Sequence, residues 1–275
     1  MSCPDCFSGA VHEGIPRGKV IKFHDLNTYI TEPADGREVK NIIVIIPDAF
    51  GWEFVNNRIL ADHYADKGHY RVYLPDFMLG HASPLWMIGT MRTLMNPGNV
   101  FKKLYAVPIA IYGIAPFLFF NRQARSYPIV KKFFAALRKN EGANLSVGAA
   151  GFCWGGKLTV LLAADADLVD GKPLIDAGFT GHPSRLDIPA EIEAIKKPVS
   201  FACAENDSQL PKEQADKIAA IVEAKGEGEK GEVVWYAGCG HGFCVRADSG
   251  FEDVAKQAAE AEDQCIRWFD SHFIQ

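Results

Sequence analysis

A thiol stands at the centre of the stretch Gly151-Phe152-Cys153-Trp154-Gly155-Gly156. The apolar run Leu145–Ala150 leads into it, and a helical pattern over Lys157–Ala164 leaves it. The spacing predicts a strand, a tight turn and a helix, the arrangement that lifts a nucleophile out of a sheet. Glycines two residues to either side suit a strained turn that side chains would obstruct. The Trp154 amide, at the start of the helix, would face a developing oxyanion, and the positive end of the helix dipole favours a thiolate. The same residue could instead be a small apolar side chain after a core strand, because thiols are often buried.

Two more loops carry groups that could serve such a thiol. The apolar run Lys197–Cys203 ends in Ala204-Glu205-Asn206-Asp207, and Val233–Tyr236 ends in Ala237-Gly238-Cys239-Gly240-His241-Gly242-Phe243. His241 can accept the thiol proton and later return it to a leaving group. Asp207 would fix the imidazole tautomer and stabilise the imidazolium. Glu205 in the same loop is the alternative acid, and Asp207 could equally cap the helix that follows. Cys239 and Cys244 bracket His241, but no carboxylate or second His nearby completes a ligand set, so no metal is expected. Cys3 and Cys6 form a C-x-x-C with His12 close by, again one ligand short of a zinc site. There is no Gly-rich phosphate loop, and no cofactor is expected.

These loops need a sheet to hold them. Asn41–Pro47 is a nearly continuous β-branched run, as a strand buried on both faces requires. Tyr70–Asp76 and Asp176–His182 read as further strands, with His182 at a strand exit and therefore a pocket wall. Val20–Phe23 and Asn27–Ile30 read as an antiparallel edge hairpin. Helical spacing appears over Asn56–Gly68, Pro128–Asn140, Pro211–Gly226 and from Phe251 onwards. Strands alternating with helices predict an α/β fold with a mostly parallel sheet, whose ligand sites lie at the C-terminal strand ends. Asp48, Phe50 and Trp52, just past the first such end, are therefore candidate substrate contacts.

The stretch around Cys153 resembles the nucleophile segment of the dienelactone hydrolase family, a Cys-His-Asp branch of the α/β-hydrolases, and is most similar to its fungal branch. The resemblance extends from about Ile42 to the C-terminus, through the strand-ending Leu74-Pro75-Asp76, the acid at Asp207 and the His241-Gly242-Phe243 that follows the last strand. It implies a hydrolase of a small ester or lactone, working through Cys153, His241 and Asp207. It also implies a second oxyanion amide at Ala49, a carboxylate at Asp48 that could hold the resting thiol, and an Arg246 that could receive a substrate carboxylate. A thioesterase or acyltransferase on the same triad is the nearest alternative, and a non-catalytic thiol- or metal-binding protein on the same fold is another.

Composition sets outer bounds. A chain of 275 residues with 48% hydrophobic residues can bury a large single core. A net charge of −5 gives no reason to expect a nucleic-acid partner. Seven Cys without framework spacing suit a reducing compartment, so the protein is expected to be cytoplasmic. Residues 1–19, rich in Gly, Pro and Cys, read as a flexible tail, with residues 20–275 forming one domain. Residues 80–127 break the compact α/β pattern with Met and aromatic side chains and are expected to form a cap or lid. Within them the apolar run Val107–Phe120 contains Pro108 and Pro116 and reads as too short to span a bilayer, a lid or buried loop instead. The expected partner is a small-molecule ester or lactone, with the protein a monomer or homodimer.

Overall fold

The computed structural model describes residues 4–274. In chain order the elements are β1 (Lys19–Phe23), β2 (Leu26–Thr31), β3 (Asn41–Ile46), α1 (Val55–Gly68), β4 (Tyr70–Pro75), α2 (Met87–Met95), α3 (Val100–Phe120) and α4 (Gln123–Lys139). They continue with β5 (Val147–Phe152), α5 (Trp154–Ala164), the small hairpin β6 (Leu168–Val169) and β7 (Lys172–Pro173), β8 (Ala177–Gly181) and α6 (Ala190–Glu193). The chain ends with β9 (Val199–Asn206), α7 (Lys212–Glu223), β10 (Glu232–Gly240), α8 (Phe243–Arg246) and α9 (Glu252–His272).

The main sheet has eight strands in the order β1-β2-β4-β3-β5-β8-β9-β10. The six strands from β4 to β10 are mutually parallel, and the β1–β2 hairpin adds an antiparallel edge. Helices cover both faces. This is the α/β-hydrolase fold, with the edge hairpin where the alternation at residues 20–30 places it. Every residue of β3 is buried, as its Asn-Ile-Ile-Val-Ile-Ile sequence demands of a central parallel strand. Because the parallel strands share one direction, their C-terminal ends open on one rim, and the loops carrying Asp48, Cys153, His182, Asp207 and His241 meet there.

Two parts of the chain differ from expectation. Residues 1–19 were expected to be loose. Cys3 lies outside the described residues, but Cys6 and Phe7 are buried, and Phe7 lies edge-on to both Phe50 and Phe117, whereas Val11 and Ile15 further along are exposed. The segment is tied down further along. The Ala10 amide donates to the Arg246 carbonyl, and Asn56 Nδ2 donates to the Ala10 carbonyl. Apart from a short 3-10 turn over Pro4–Phe7, it runs over the surface of other elements without regular structure, which is why its sequence gives no periodicity.

The apolar run is also longer and more regular than its prolines suggest. It belongs to α3, a helix of 21 residues that continues through both Pro108 and Pro116. Each proline removes one N–H, and the turns on either side carry the helix across the gap. Gly113 lets α2 cross closely, since a Cβ there would fall 2.5 Å from Met87 Sδ. By length and composition α3 is long and apolar enough to cross a membrane, yet only 22% of its most apolar window is buried within the protein. Phe101, Tyr105, Ile111 and Tyr112 are exposed along it.

The end of the sheet away from the rim is anchored by one cation. Buried Arg138 of α4 donates to the carbonyls of Pro173, Gly142 and Leu145 and to Asp176 Oδ2, which also accepts the Val147 amide at the start of β5. Truncating it would leave several acceptors unpaired where β5 and β8 begin. Arg138→Ala is therefore expected to lower unfolding free energy by roughly 3 kcal/mol, read from the urea midpoint at unchanged m-value.

Candidate active site

Cys153 is built into the rim by its neighbours. It is the N-cap of α5 with φ 51° and ψ −109°, a region that a non-Gly residue adopts only when its surroundings impose it. The flanking glycines show what imposes it. A Cβ at Gly155 would lie 2.0 Å from the Ile46 carbonyl oxygen of β3, and one at Gly151 would lie 2.3 Å from the Gly155 carbonyl oxygen. The glycines are thus required because the first turn of α5 presses directly on the ends of β3 and β5. Ile46 pairs with Gly151, so the turn after Ile46 and the turn at Cys153 leave adjacent strands at the rim. The loop after β8 completes the frame: the Cys153 amide donates to the Gly181 carbonyl, and the Ser184 amide donates to the Cys153 carbonyl.

The candidate acid and base come from the next two strands. Asp207 follows β9 and His241 follows β10, and Asp207 Oδ2 is 2.7 Å from His241 Nδ1, with both side chains nearly inaccessible. The second Asp207 oxygen accepts the Gln209 amide, which fixes the carboxylate plane. Glu205, the alternative acid, is exposed and accepts the Gly238 amide instead. Cys153 is 2% exposed and His241 6% exposed, so the pair is closed off from solvent.

Their electrostatics are coupled. The Cys153 thiol is held well below the usual thiol range, first by a hydrogen bond from Cys6 and then, against burial, by the charge of His241 and a hydrogen bond to it, with Arg246 adding to the effect. Burial pulls the His241 imidazole down, but the Cys153 charge and the hydrogen bond to Asp207 outweigh it and leave the imidazole raised. Each charged form stabilises the other, which describes a thiolate–imidazolium pair.

Cys6 is the group that sequence reasoning did not bring here. Its Sγ is 3.5 Å from His241 Nε2, and the donor atoms of Cys6, Cys153 and His241 all lie within 4.8 Å of one another. The C-x-x-C was visible in the sequence, but nothing local to it points towards a residue more than two hundred positions away. Ser184 was also missed, with its Oγ 3.7 Å from Cys153 Sγ. The remaining Cys expected near the base stay apart from this cluster. Burial pushes the Cys239 thiol up to about 11 and the Cys244 thiol well above its usual range. His12 turns away too, its Nε2 against the Ala247 carbonyl.

The expected substrate contacts divide. Arg246 requires a correction. It was expected to present its guanidinium to a substrate carboxylate, but its side chain is fully buried and ion-paired with Asp48, and its Nε donates to the Ser8 carbonyl. Asp48 in turn accepts the Phe50 amide and Asn57 Nδ2. Burial pushes the Asp48 carboxyl up, and Arg246 opposes that most strongly. Asp48 thus serves Arg246 and the turn after β3. Phe50 lies under Arg246, 5.4 Å from its guanidinium carbon, and faces Phe7. Trp52 is held by Arg58, which stacks on its ring. His182 is fully buried with its ring edge-on to His241 at 5.0 Å. Burial holds its imidazole well below the usual range and so neutral, and neither ring nitrogen has a hydrogen-bond partner among the described residues.

The 80–127 segment reaches the rim through its C-terminal end. Phe117 lies edge-on to Trp154, Trp154 Nε1 donates to the Asn121 carbonyl, and Asn121 Nδ2 donates to the His81 carbonyl. Asn121, Gln123, Trp154, Lys157, Leu158, Ser184 and Arg185 line a cavity of about 160 Å³, which nears Cys153 through Ser184.

A model of the dienelactone hydrolase family matches residues 26–273 of this chain. The chain is 29% identical to Hydrolase tropI of Talaromyces stipitatus over 99% of its own length and 96% of that protein. It is 26% identical to Hydrolase pyvD of Aspergillus violaceofuscus, over 97% and 95% respectively. Among solved structures, the dienelactone hydrolase-like promiscuous phosphotriesterase P91 from metagenomic libraries aligns with a TM-score of 0.59 at 16% identity, over 94% of this chain and 99% of that one. Thermogutta terrifontis esterase 2 aligns with a TM-score of 0.60 at 16% identity, over 94% and 96%. At those identities the two structures speak for the shared fold.

The Asp48–Arg246 pair gives a test of how the rim is held. Arg246→Met leaves Asp48 as an uncompensated buried charge and frees the Ser8 carbonyl. It is expected to cost about 3–5 kcal/mol of stability, and hydrogen exchange over residues 8–12 should rise towards that of an unprotected loop. Asp48→Asn combined with Arg246→Met should recover part of the loss in a double-mutant cycle.

Proposed function

Because the chain belongs to the dienelactone hydrolase family, we propose that it hydrolyses a small ester or lactone through Cys153, His241 and Asp207. The observation that carries this reading is the Asp207–His241 contact of 2.7 Å beside a Cys held at positive φ on the strand-to-helix turn. In this scheme the Cys153 thiolate attacks the ester carbonyl. The amides of Ala49 and Trp154 receive the oxyanion, and His241 delivers its proton to the departing oxygen. The result is a thioester on Cys153 and a released alcohol, or a ring-opened product that stays attached when the substrate is a lactone. A water activated by His241 then attacks the thioester, the acid leaves, and the thiol is restored. Asp207 keeps the His241 Nδ1 proton in place throughout.

The aromatic side chains around the rim favour an apolar acyl group. Phe7, Phe50, Phe117 and Trp154 supply aromatic walls, and the buried Arg246 is already matched by Asp48. In this proposal α2 and α3 form the cap, and the cavity lined by Asn121, Trp154 and Ser184 is the approach to the thiol.

A panel of lactones, aryl esters and acyl thioesters tests the reading. Cys153→Ala is expected to lower kcat/KM for its best ester by at least about a thousandfold with an unchanged melting temperature. Asp207→Asn should reduce it less, because the base survives in a poorer orientation. A Cys153→Ala protein with most of its kcat intact would end the nucleophile assignment. Among lactones of equal size, the neutral member should be turned over faster than its carboxylated analogue, and the opposite order would restore a carboxylate-binding role for Arg246.

A further inference from the structure

The hydrolytic scheme uses Cys153 and His241 and gives Cys6 no chemical step. Yet Cys6 is buried against both, carried there by the segment before β1. That segment is firmly placed. Phe7 sits between Phe50 and Phe117, the Ser8 carbonyl accepts from Arg246 Nε at 2.6 Å, and the Ala10 amide donates to the Arg246 carbonyl at 3.1 Å. Two sulfurs and one imidazole nitrogen are thus preassembled from three distant stretches of chain.

Their geometry suits a particular kind of ligand. A tetrahedral zinc ion with Zn–S near 2.3 Å and Zn–N of about 2.0–2.1 Å holds its sulfur and nitrogen donors roughly 3.5 Å apart. Cys6 Sγ and His241 Nε2 are 3.5 Å apart. The three donor atoms together fall within 4.8 Å, which small side-chain rotations close to tetrahedral spacing. The other nitrogen of His241 is bonded to Asp207, the carboxylate–histidine arrangement that orients metal-bound imidazoles. A donor set of two thiolates and one imidazole selects zinc and similarly thiophilic ions over magnesium or calcium.

We propose that Cys6, Cys153 and His241 form a binding site for a thiophilic divalent cation of the zinc type, completed by the N-terminal segment, and that its occupation blocks ester hydrolysis. Binding releases two protons to solvent, the one on the Cys6 thiol and the one shared by Cys153 and His241. Three metal–donor bonds replace them, with no change of oxidation state. A zinc-bound Cys153 has its lone pair committed, and a zinc-bound His241 can neither accept nor deliver a proton. The blocking half of the proposal rests on the hydrolytic reading above, and the binding half does not.

Cobalt(II) serves as the probe, since it occupies zinc sites and reports its own coordination. Full-length protein stripped with a chelator is titrated with Co²⁺, followed by Zn²⁺. The expected result is one equivalent bound per chain, with the intense visible bands of tetrahedral cobalt and a near-ultraviolet thiolate-to-cobalt band, all lost as zinc displaces cobalt. Cys6→Ser and Cys153→Ser should each weaken cobalt affinity by at least about tenfold, with melting curves showing that both variants fold. Zinc-loaded wild type should lose ester hydrolysis and regain it on chelation. Absence of the bands in wild type overturns the proposal. So do bands that persist undiminished in Cys153→Ser but vanish in Cys3→Ser, which would put the metal on the C-x-x-C alone. Full hydrolysis by zinc-loaded protein overturns the blocking half. Failure of the nucleophile assignment looks different: Cys153→Ala would still hydrolyse esters while having lost the cobalt bands.

Discussion

Asp48 and Arg246 share a site with no exposed atoms on either side chain, and the rim of the sheet is arranged around them. Neither charge is tolerable there alone, since removing a unit charge from water costs far more than a single ordinary hydrogen bond returns. Each must therefore be met by the other and by further donors and acceptors. Asp48 draws in the Phe50 amide and Asn57 from α1, and Arg246 draws in the carbonyl of Ser8. One ion pair thereby connects the exit of β3, the first helix, the short helix after His241 and the segment before β1. Cys153 lies within its electrostatic reach, and Arg246 contributes to holding the thiol low.

The same pair explains why the N-terminal segment belongs to the site. Gly9 runs so close to Arg246 that a Cβ there would fall 2.6 Å from the arginine's own Cβ. At φ +119° the residue adopts a conformation that L side chains rarely adopt. With the backbone held at Ser8, Gly9 and Ala10, the residues just before them have little choice of direction, and Cys6 and Phe7 are directed into the rim. Phe7 then fills the space between Phe50 and Phe117, which in turn supports Trp154. The closed character of the site, with Cys153 and His241 both buried, follows from this chain of contacts rather than from the sheet.

Burial also divides the thiols. Burial raises the thiols of Cys203, Cys244 and Cys265. Cys153 is equally buried, but Cys6, His241 and Arg246 reverse the sign. Position alone would not separate these residues, because all are inaccessible. What separates them is whether hydrogen-bond donors and positive charge surround the sulfur.

Much of this was legible in the sequence, for physical reasons that are local. The β-branched run at Ile42–Ile46 can satisfy its backbone and bury its side chains only as a central parallel strand. The Gly-x-Cys-x-Gly spacing is demanded by two backbone contacts near 2 Å that any side chain would occupy. Asp207 and His241 could be anticipated because each follows an apolar strand run, and parallel strands deliver their exits to one rim. Cys6, Ser184, the exposed length of α3 and the fate of Arg246 could not be read this way. Each depends on a partner tens to hundreds of residues distant, and a sequence shows the type of a charged or sulfur-bearing side chain but not the charge opposite it. The sequence by itself determined the sheet, the turn and the strand exits that carry Cys153, Asp207 and His241, since those follow from backbone hydrogen bonding and side-chain volume over short spans. Only the tertiary structure decided that Arg246 is neutralised by Asp48 and that Cys6 joins the thiol, because burial makes each charge or sulfur depend on which group the fold brings against it.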